Sequence, residues 1–270
     1  MKKIVDFYIN SSIHVALAVV SLSLVTMLEF EVDVRKDLLL IIFFGTVTGY
    51  NFVKYAEVTG LHHRSLTKRL KFIQVLTLIC FAGLIVTLFF LSFKIIVWSA
   101  IFGAFTLLYA LPVFSKRRNL RSISGLKIFI IAFVWAGVTV ILPVTGVRNV
   151  ILEDLVLEFL QRFLLVLVWI LPFEIRDLKY DLEQLGTIPQ RVGVTPTKVF
   201  GLILLALVTL LEVLRSNFTS TSTFALVAIC FITGSFVLFS REKQSRYFTA
   251  FWVEAIPLYW LIILVTLRSL

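Results

Sequence analysis

The chain reads as all-α: a polytopic membrane bundle of nine transmembrane helices, and three observations carry that expectation. Of 270 residues, 59% are hydrophobic and only 16% are charged, whereas a soluble domain carries about 25% charge. The apolar residues fall in nine long runs, each near the roughly 20 residues that cross about 30 Å of hydrocarbon as a helix. The runs are continuously apolar, without the alternation that barrel strands need. Finally, Lys and Arg collect in every second connection, as expected of a chain that weaves back and forth across a bilayer.

The runs can be taken in order. Ile13 to Leu28 follows a short polar opening, and no small-residue cleavage pattern comes after it, so no cleaved signal peptide is expected. Leu38 to Val53 ends at a polar corner holding Asn51 and Lys54. Phe72 to Phe90 and Ile95 to Val113 are separated by only a few residues, a tight connection between neighbouring spans. Gly125 to Leu142 opens on a glycine after a strongly basic segment. Leu155 to Leu171 meets Pro172, which cannot donate to the helical ladder and is expected to loosen the helix there. Val199 to Leu214 follows Thr195-Pro196, read as N-cap and first helical position. Phe224 to Phe239 and Phe248 to Leu267 complete the nine, and the last contains a charged residue, Glu254, in an otherwise apolar stretch. With no low-complexity linker, residues 1–270 read as one domain.

Giving alternate connections to one side collects 19 of the 26 Lys and Arg there. The remaining 7 are Arg35, Lys36, Lys94, Arg148, Arg162, Arg215 and Arg268. The positive-inside rule then puts the N-terminus in the cytoplasm and the C-terminus outside, as for a protein of a bacterial inner membrane. The formal charge of +10 suits anionic headgroups, so membrane lipids are the expected partners of these flanks. Nucleic acid is not an expected partner, since no separate soluble domain carries the charge. Cys80 and Cys230 are isolated within apolar runs and support neither a disulfide nor a zinc site. Oligomeric state is not legible, because packing and lipid-facing surfaces are equally apolar.

One segment carries the chemistry. Glu174-Ile-Arg-Asp177-Leu-Lys-Tyr-Asp181 places five charges directly after an apolar run. If the helix continues, Asp177 and Asp181 lie one turn apart on one face, with Glu174 almost one turn earlier. Three such carboxylates suit one hard cation, and Mg²⁺ completed by phosphate oxygens and water is the expected occupant. Gly186-Thr-Ile-Pro189 then makes a compact turn, keeping the carboxylates at the mouth of the bundle. On the same side stand Lys54, three residues after Asn51, together with Arg176, Lys116, Arg117 and Arg121. Arg forks and Lys point charges hold phosphate oxygens, so these favour a phosphorylated ligand over a bare cation. A charged head entering an apolar bundle suits a molecule with a long hydrocarbon tail, each buried methylene adding about 0.8 kcal/mol.

These residues resemble the UbiA superfamily of intramembrane prenyltransferases. Glu174 through Asp181 and the following Gly186-Thr-Ile-Pro189 are similar to the second Asp-rich motif of that superfamily, and Tyr109, Pro112 and Lys116 to its Tyr-Pro-Lys segment. The resemblance implies nine helices around a central cavity and Mg²⁺ as cofactor. It implies transfer of a polyprenyl group from an allylic diphosphate to a lipophilic acceptor. Asp177, Asp181 and Lys54 would be catalytic, and Glu174, Asp177 and Asp181 would hold metal. Asn51, Tyr109, Lys116, Arg117, Arg121 and Arg176 would bind substrate. The first Asp-rich motif departs from the superfamily: along Asn51-Phe52-Val53-Lys54-Tyr55-Ala56-Glu57-Val58-Thr59 only Asn51 remains, with Phe52, Tyr55 and Thr59 where carboxylates belong. Lys54 would then neutralise diphosphate where the superfamily uses a second metal. The alternative is a catalytically inactive relative that binds an isoprenoid lipid, and a nine-helix transporter is a third class.

Overall fold

Long apolar segments in the sequence become helices because hydrocarbon offers no partner for an open backbone group. The computed structural model describes residues 2–59, 68–111, 125–148, 150–179, 185–216 and 219–269, and among them every regular element is helical. In chain order these are α1 (Lys2–Asn10), α2 (Ile13–Glu29), α3 (Lys36–Thr59), α4 (Lys68–Leu88), α5 (Phe93–Ala110) and α6 (Lys127–Val144). They continue with α7 (Leu152–Asp177), α8 (Ile188–Val192), α9 (Val194–Glu212), α10 (Ser220–Phe239) and α11 (Phe248–Ser269). Eight are long and apolar enough to span a membrane, and α1 with α2 forms a bent pair, kinked by 58°, that completes the expected nine.

The spans form a closed ring. Neighbours run α2, α3, α5, α6, α7, α9, α10, α11 and back to α2, with α4 outside against α3. Inside that ring α2 also packs against the middle of α6, and α7 against α10, so one end of the bundle is pinched. The approach of α5 to α6 depends on Gly137, where a Cβ would lie 2.1 Å from the Phe102 ring. From Gly137 to Ile141 the helix is π-wound, and α11 begins with a second π segment, Phe248–Val253. The largest apolar core lies between α2, α6, α7, α9, α10 and α11, around Leu165, Val168, Val208, Ile229 and Trp260.

The pinched end holds a buried charge network. Arg162 of α7 is fully buried, and its Nη atoms donate to the Leu22 carbonyl (3.1 Å), Thr26 Oγ1 (3.2 Å), Thr139 Oγ1 (3.3 Å) and Glu158 Oε1 (2.5 Å). Its guanidinium lies 4.8 Å from the centre of the Trp260 ring. One side chain therefore ties α7 to α2, α6 and α11. Beside it, Arg215 Nη1 meets Glu158 at 3.0 Å, Glu212 at 3.4 Å and Glu29 at 3.5 Å. Burial works against the Arg215 charge, but Glu158, Glu29 and Glu212 outweigh it and hold its pKa above the ordinary guanidinium value. Gln161 donates to Glu212 and to the Val208 carbonyl, and Thr223 donates to Glu212.

Four local expectations need correction. Arg162 and Arg215, read from the sequence as surface charges of the sparsely basic face, are interior side chains. The helix carrying the acidic cluster ends at Asp177 and is not seen to continue through the cluster, and Asp181 lies outside the described residues. Thr195 is not the cap of α9: the helix starts at Val194 after Gly193, whose φ of 87° lets the chain turn sharply out of α8. Pro172 does not interrupt α7, which runs through it, and Gln244 donates to the Pro172 carbonyl at 3.1 Å. Both cysteines are buried and free.

Replacing Arg162 by Met should leave Glu158 without its guanidinium and lower stability by about 3–5 kcal/mol. Thermal unfolding of the detergent-solubilised protein measures this. The double variant Arg162→Met with Glu158→Gln should recover part of the loss, because the unpaired charge is gone.

Candidate functional site

The opposite end of the ring, where α7 ends, collects polar groups from five spans. Its frame is the kink between α1 and α2. Ser12 takes a left-handed φ of 63°, a conformation that costs a non-glycine residue energy unless its neighbours hold it. Asn51 of α3 does so: its Oδ1 accepts from Ser12 Oγ at 2.7 Å, and its Nδ2 donates to the Ser11 carbonyl at 3.0 Å and to Thr77 Oγ1 at 2.9 Å. One residue further back, the Asn10 carbonyl accepts from Tyr55 Oη at 3.0 Å and from Lys54 Nζ at 3.4 Å. Arg246 also bonds to the Asn10 side chain, and Tyr247 Oη donates to Asp6 at 2.6 Å.

From α2, buried His14 reaches across to α11. Its Nε2 lies 2.9 Å from the Phe251 carbonyl and its Nδ1 3.0 Å from Tyr8 Oη. A carbonyl can only accept, so Nε2 carries the hydrogen and Nδ1 of the neutral ring takes one from Tyr8. The imidazole also stacks on the Phe251 ring at 5.0 Å. On the far side, Arg176 Nη1 donates to Thr249 Oγ1 at 2.5 Å. The π segment of α11 is thus pinned between α2 and the last turn of α7.

The residues expected from the sequence divide into two groups. Lys54, Arg176, Asp177, Glu174, Asn51 and Tyr109 are described; Asp181, Lys116, Arg117 and Arg121 lie outside the described residues. Lys54 is solvent-accessible on α3. Arg176 and Asp177 form a two-pronged pair, Nε to Oδ1 at 2.6 Å and Nη2 to Oδ2 at 2.7 Å, and the guanidinium lies over Phe173. Glu174 is buried one turn back on the same face. Asn51, expected to touch a ligand, is buried and spends its amide on the kink. Tyr109 is buried at the end of α5, and on α3 the Tyr50 Oη accepts from Trp135 Nε1 at 2.7 Å. At the turn after the acidic segment, the Gly125 N–H donates to the Leu185 carbonyl and Thr187 N–H to Gln190 Oε1, giving the compact connection that Gly186 and Pro189 suggest.

Glu254 is the residue whose place the sequence did not give. It looked remote from the mouth, yet it directly follows the π segment of α11 that bonds to His14 of α2 and to Arg176 of α7. Ring closure explains this: α11 lies against α2, next to α3. A lone carboxylate in an apolar span was the available signal.

Among the described residues, no three His, Cys, Asp or Glu side chains converge as a metal site. Asp177 and Glu174 are oxygen donors of the kind Mg²⁺ takes. Asp177 keeps about a third of its side chain exposed, so a ligand role requires it to exchange Arg176 for the ion.

No protein-family model matches this chain, and no curated protein matches it in sequence. Its fold is similar to that of a solved digeranylgeranylglyceryl phosphate synthase of membranes, with a TM-score of 0.58 over all of both chains at 16% sequence identity. That likeness establishes a shared fold.

Replacing Asn51 by Ala should orphan the Ser11 carbonyl and free the kink, lowering stability by about 1–3 kcal/mol in thermal unfolding. Thr77→Val, which removes one of the three bonds, should cost less.

Proposed function

We propose that this protein transfers a polyprenyl group from its diphosphate to a lipophilic acceptor inside the membrane. The observation that carries the reading is that Lys54 of α3, bonded to the Asn10 carbonyl, and Arg176 of α7, bonded to Thr249 of α11, both stand at the end of the ring where the acidic segment emerges. Two cations from opposite walls suit a diphosphate, and the ring of apolar helices beneath suits its tail. The likeness to a synthase that builds a diprenylated glyceryl phosphate, and the resemblance of Glu174 through Pro189 to the second UbiA motif, support the same chemistry.

In this reading Lys54 and Arg176 hold the diphosphate oxygens, Arg176 through its fork and Lys54 as a point charge. Asn51 positions Lys54 by fixing the kink whose Asn10 carbonyl the ammonium touches. Tyr109 would contact the substrate, and Lys116, Arg117 and Arg121 would add positive charge at the mouth. Asp177, Asp181 and Glu174 would hold Mg²⁺, which would supply positive charge for the departing diphosphate. Fixed cations placed where charge develops lower the barrier without reorganisation. The basic face is assigned to the cytoplasm, where a soluble diphosphate head is available.

A second reading, binding of an isoprenoid diphosphate without transfer, rests on the degenerate first motif: Tyr55 spends its hydroxyl on Asn10 and Phe52 is exposed. The full-length protein in lipid nanodiscs, given labelled geranylgeranyl diphosphate, Mg²⁺ and a set of acceptors, separates the two. Transfer predicts diphosphate release that needs an acceptor, falls at least about 100-fold in Asp177→Asn and on chelation of Mg²⁺, and is lost with weakened donor binding in Lys54→Ala. Tight donor binding with no release for any acceptor contradicts transfer and supports the second reading.

A further inference from the structure

Arg215 is offered more carboxylate oxygens than one of its nitrogens has hydrogens. Glu158 Oε2 lies 3.0 Å from Arg215 Nη1, Glu212 Oε2 3.4 Å and Glu29 Oε2 3.5 Å. A guanidinium Nη carries two hydrogens, so two of these oxygens can be served by a well-aligned bond and the third cannot. The three carboxylates are also close neighbours of one another, because they crowd the same atom. No side chain of the network, Arg162 included, is more than 5% exposed, so water does little to screen the repulsion.

The charges do not balance either. Glu29, Glu158 and Glu212 face two guanidiniums, those of Arg162 and Arg215, which leaves one negative charge in excess. An uncompensated charge in the interior is costly, and a buried acid avoids it by taking a proton. Among the described residues no further Lys or Arg bonds to these carboxylates. Facing the cluster, α6 brings Thr139, α10 brings Thr223 and α11 brings Trp260, none of them charged. The thiol of Cys230 lies two turns beyond Thr223 on α10. Asp154 adds a carboxylate one turn before Glu158, but it sits in the first turn of α7, where the helix terminus favours negative charge, and it accepts from the Ser216 N–H at 2.8 Å.

The three crowded carboxylates are not equivalent. Glu158 accepts from both arginines, from Arg162 at 2.5 Å and from Arg215 at 3.0 Å. Glu212 accepts from Gln161 and from Thr223, each at 3.0 Å, as well as from Arg215. Glu29 has the 3.5 Å contact with Arg215 and no other hydrogen-bond donor among the described residues. It is the least supported as an anion.

We infer that Glu29 is a proton-binding site: it stays protonated in the folded protein at neutral pH, its hydroxyl donating to a carboxylate oxygen on the same Arg215 nitrogen. The proton supplies the hydrogen that Arg215 lacks and removes the excess charge, so the end of α2 is held to α7 and α9. None of this depends on the prenyl-transfer reading. In an unfolded chain a glutamate gives up its proton at about pH 4.3. The folded protein therefore holds one more proton than the unfolded chain across the neutral range, and each rise in pH removes stability. The network is a pH-sensitive latch on the pinched end of the ring.

Thermal unfolding of the full-length protein in nanodiscs, between about pH 6 and pH 8, tests this against Glu29→Gln. Gln is neutral at every pH and keeps a donor for the neighbouring carboxylate, so it stands for protonated Glu29. The melting temperature of the parent should fall by about 2–4 °C per pH unit relative to that of Glu29→Gln, which should melt at least as high as the parent at the upper end of the range. Glu158→Gln, which weakens a bond to each arginine, should instead melt lower than the parent throughout. In infrared absorption the parent at neutral pH should show the carbonyl stretch of a protonated carboxylic acid that Glu29→Gln lacks. Equal pH slopes in parent and Glu29→Gln overturn the inference, as does an unchanged carboxylic acid band. A Glu158→Gln that melts no lower than the parent overturns the assignment of the proton to Glu29. Failure of Glu29→Gln to fold overturns it as well, because a neutral side chain at this position is what the inference requires.

Discussion

A guanidinium buried in hydrocarbon dictates the shape of one half of this molecule. Arg162 cannot reach water, so α2, α6 and α7 must come close enough to answer its Nη atoms, and Trp260 of α11 must lie over its face. Charged residues at the centre of a spanning helix cost about 2.5–3.5 kcal/mol on insertion scales, and that cost is offset only in an arrangement where partners converge. Four elements from distant parts of the chain are thereby fixed in relation to one another. Arg215 extends the constraint to Glu29 and Glu212, tying the ends of α2 and α9 into the same cluster.

Closing one end leaves the polar residues of the other end to a different task. There the charges are less completely paired: Lys54 is accessible, the Arg176–Asp177 pair is partly exposed, and Glu254 is half-buried without a hydrogen-bond partner for its carboxylate among the described residues. The backbone is also less regular, with a left-handed serine in the kink between α1 and α2 and a π-wound start to α11. Irregular backbone at membrane depth is tolerated where it borders protein or a wet cavity. The contrast between an end tied by buried ion pairs and a more accessible one suits the prenyl transfer proposed above.

The sequence made the fold legible because hydropathy and the alternation of Lys and Arg both respond to the bilayer itself, which acts on each span separately. Helix edges were right to within a few residues for most spans, and the exceptions have local causes, such as the positive φ available to Gly193 but to few other residues. The candidate site was legible only where its residues are neighbours in the chain. Glu174, Arg176 and Asp177 share a helical turn, and their clustering was visible at once. Glu254 was visible as an oddity, yet nothing local says that α11 returns beside α2. The Glu158, Gln161 and Arg162 spacing within one helix could have signalled an interior network, but a rule that counts basic residues by side assigns every arginine near a span end to the surface. Asn51 showed the reverse failure: a motif position suggested ligand contact, whereas its amide is engaged in holding the kink.

The account stands on the claim that the cations of α3 and α7 receive a diphosphate head whose hydrocarbon tail enters the ring. An experimental structure of the full-length protein in nanodiscs with geranylgeranyl thiolodiphosphate, which resists cleavage, tests this most directly. The account predicts diphosphate density within hydrogen-bonding distance of Lys54 Nζ and the Arg176 guanidinium, with the hydrocarbon tail among the apolar helices. Density for the head group elsewhere, with Lys54 and Arg176 still turned to Asn10, Thr249 and Asp177, would contradict it.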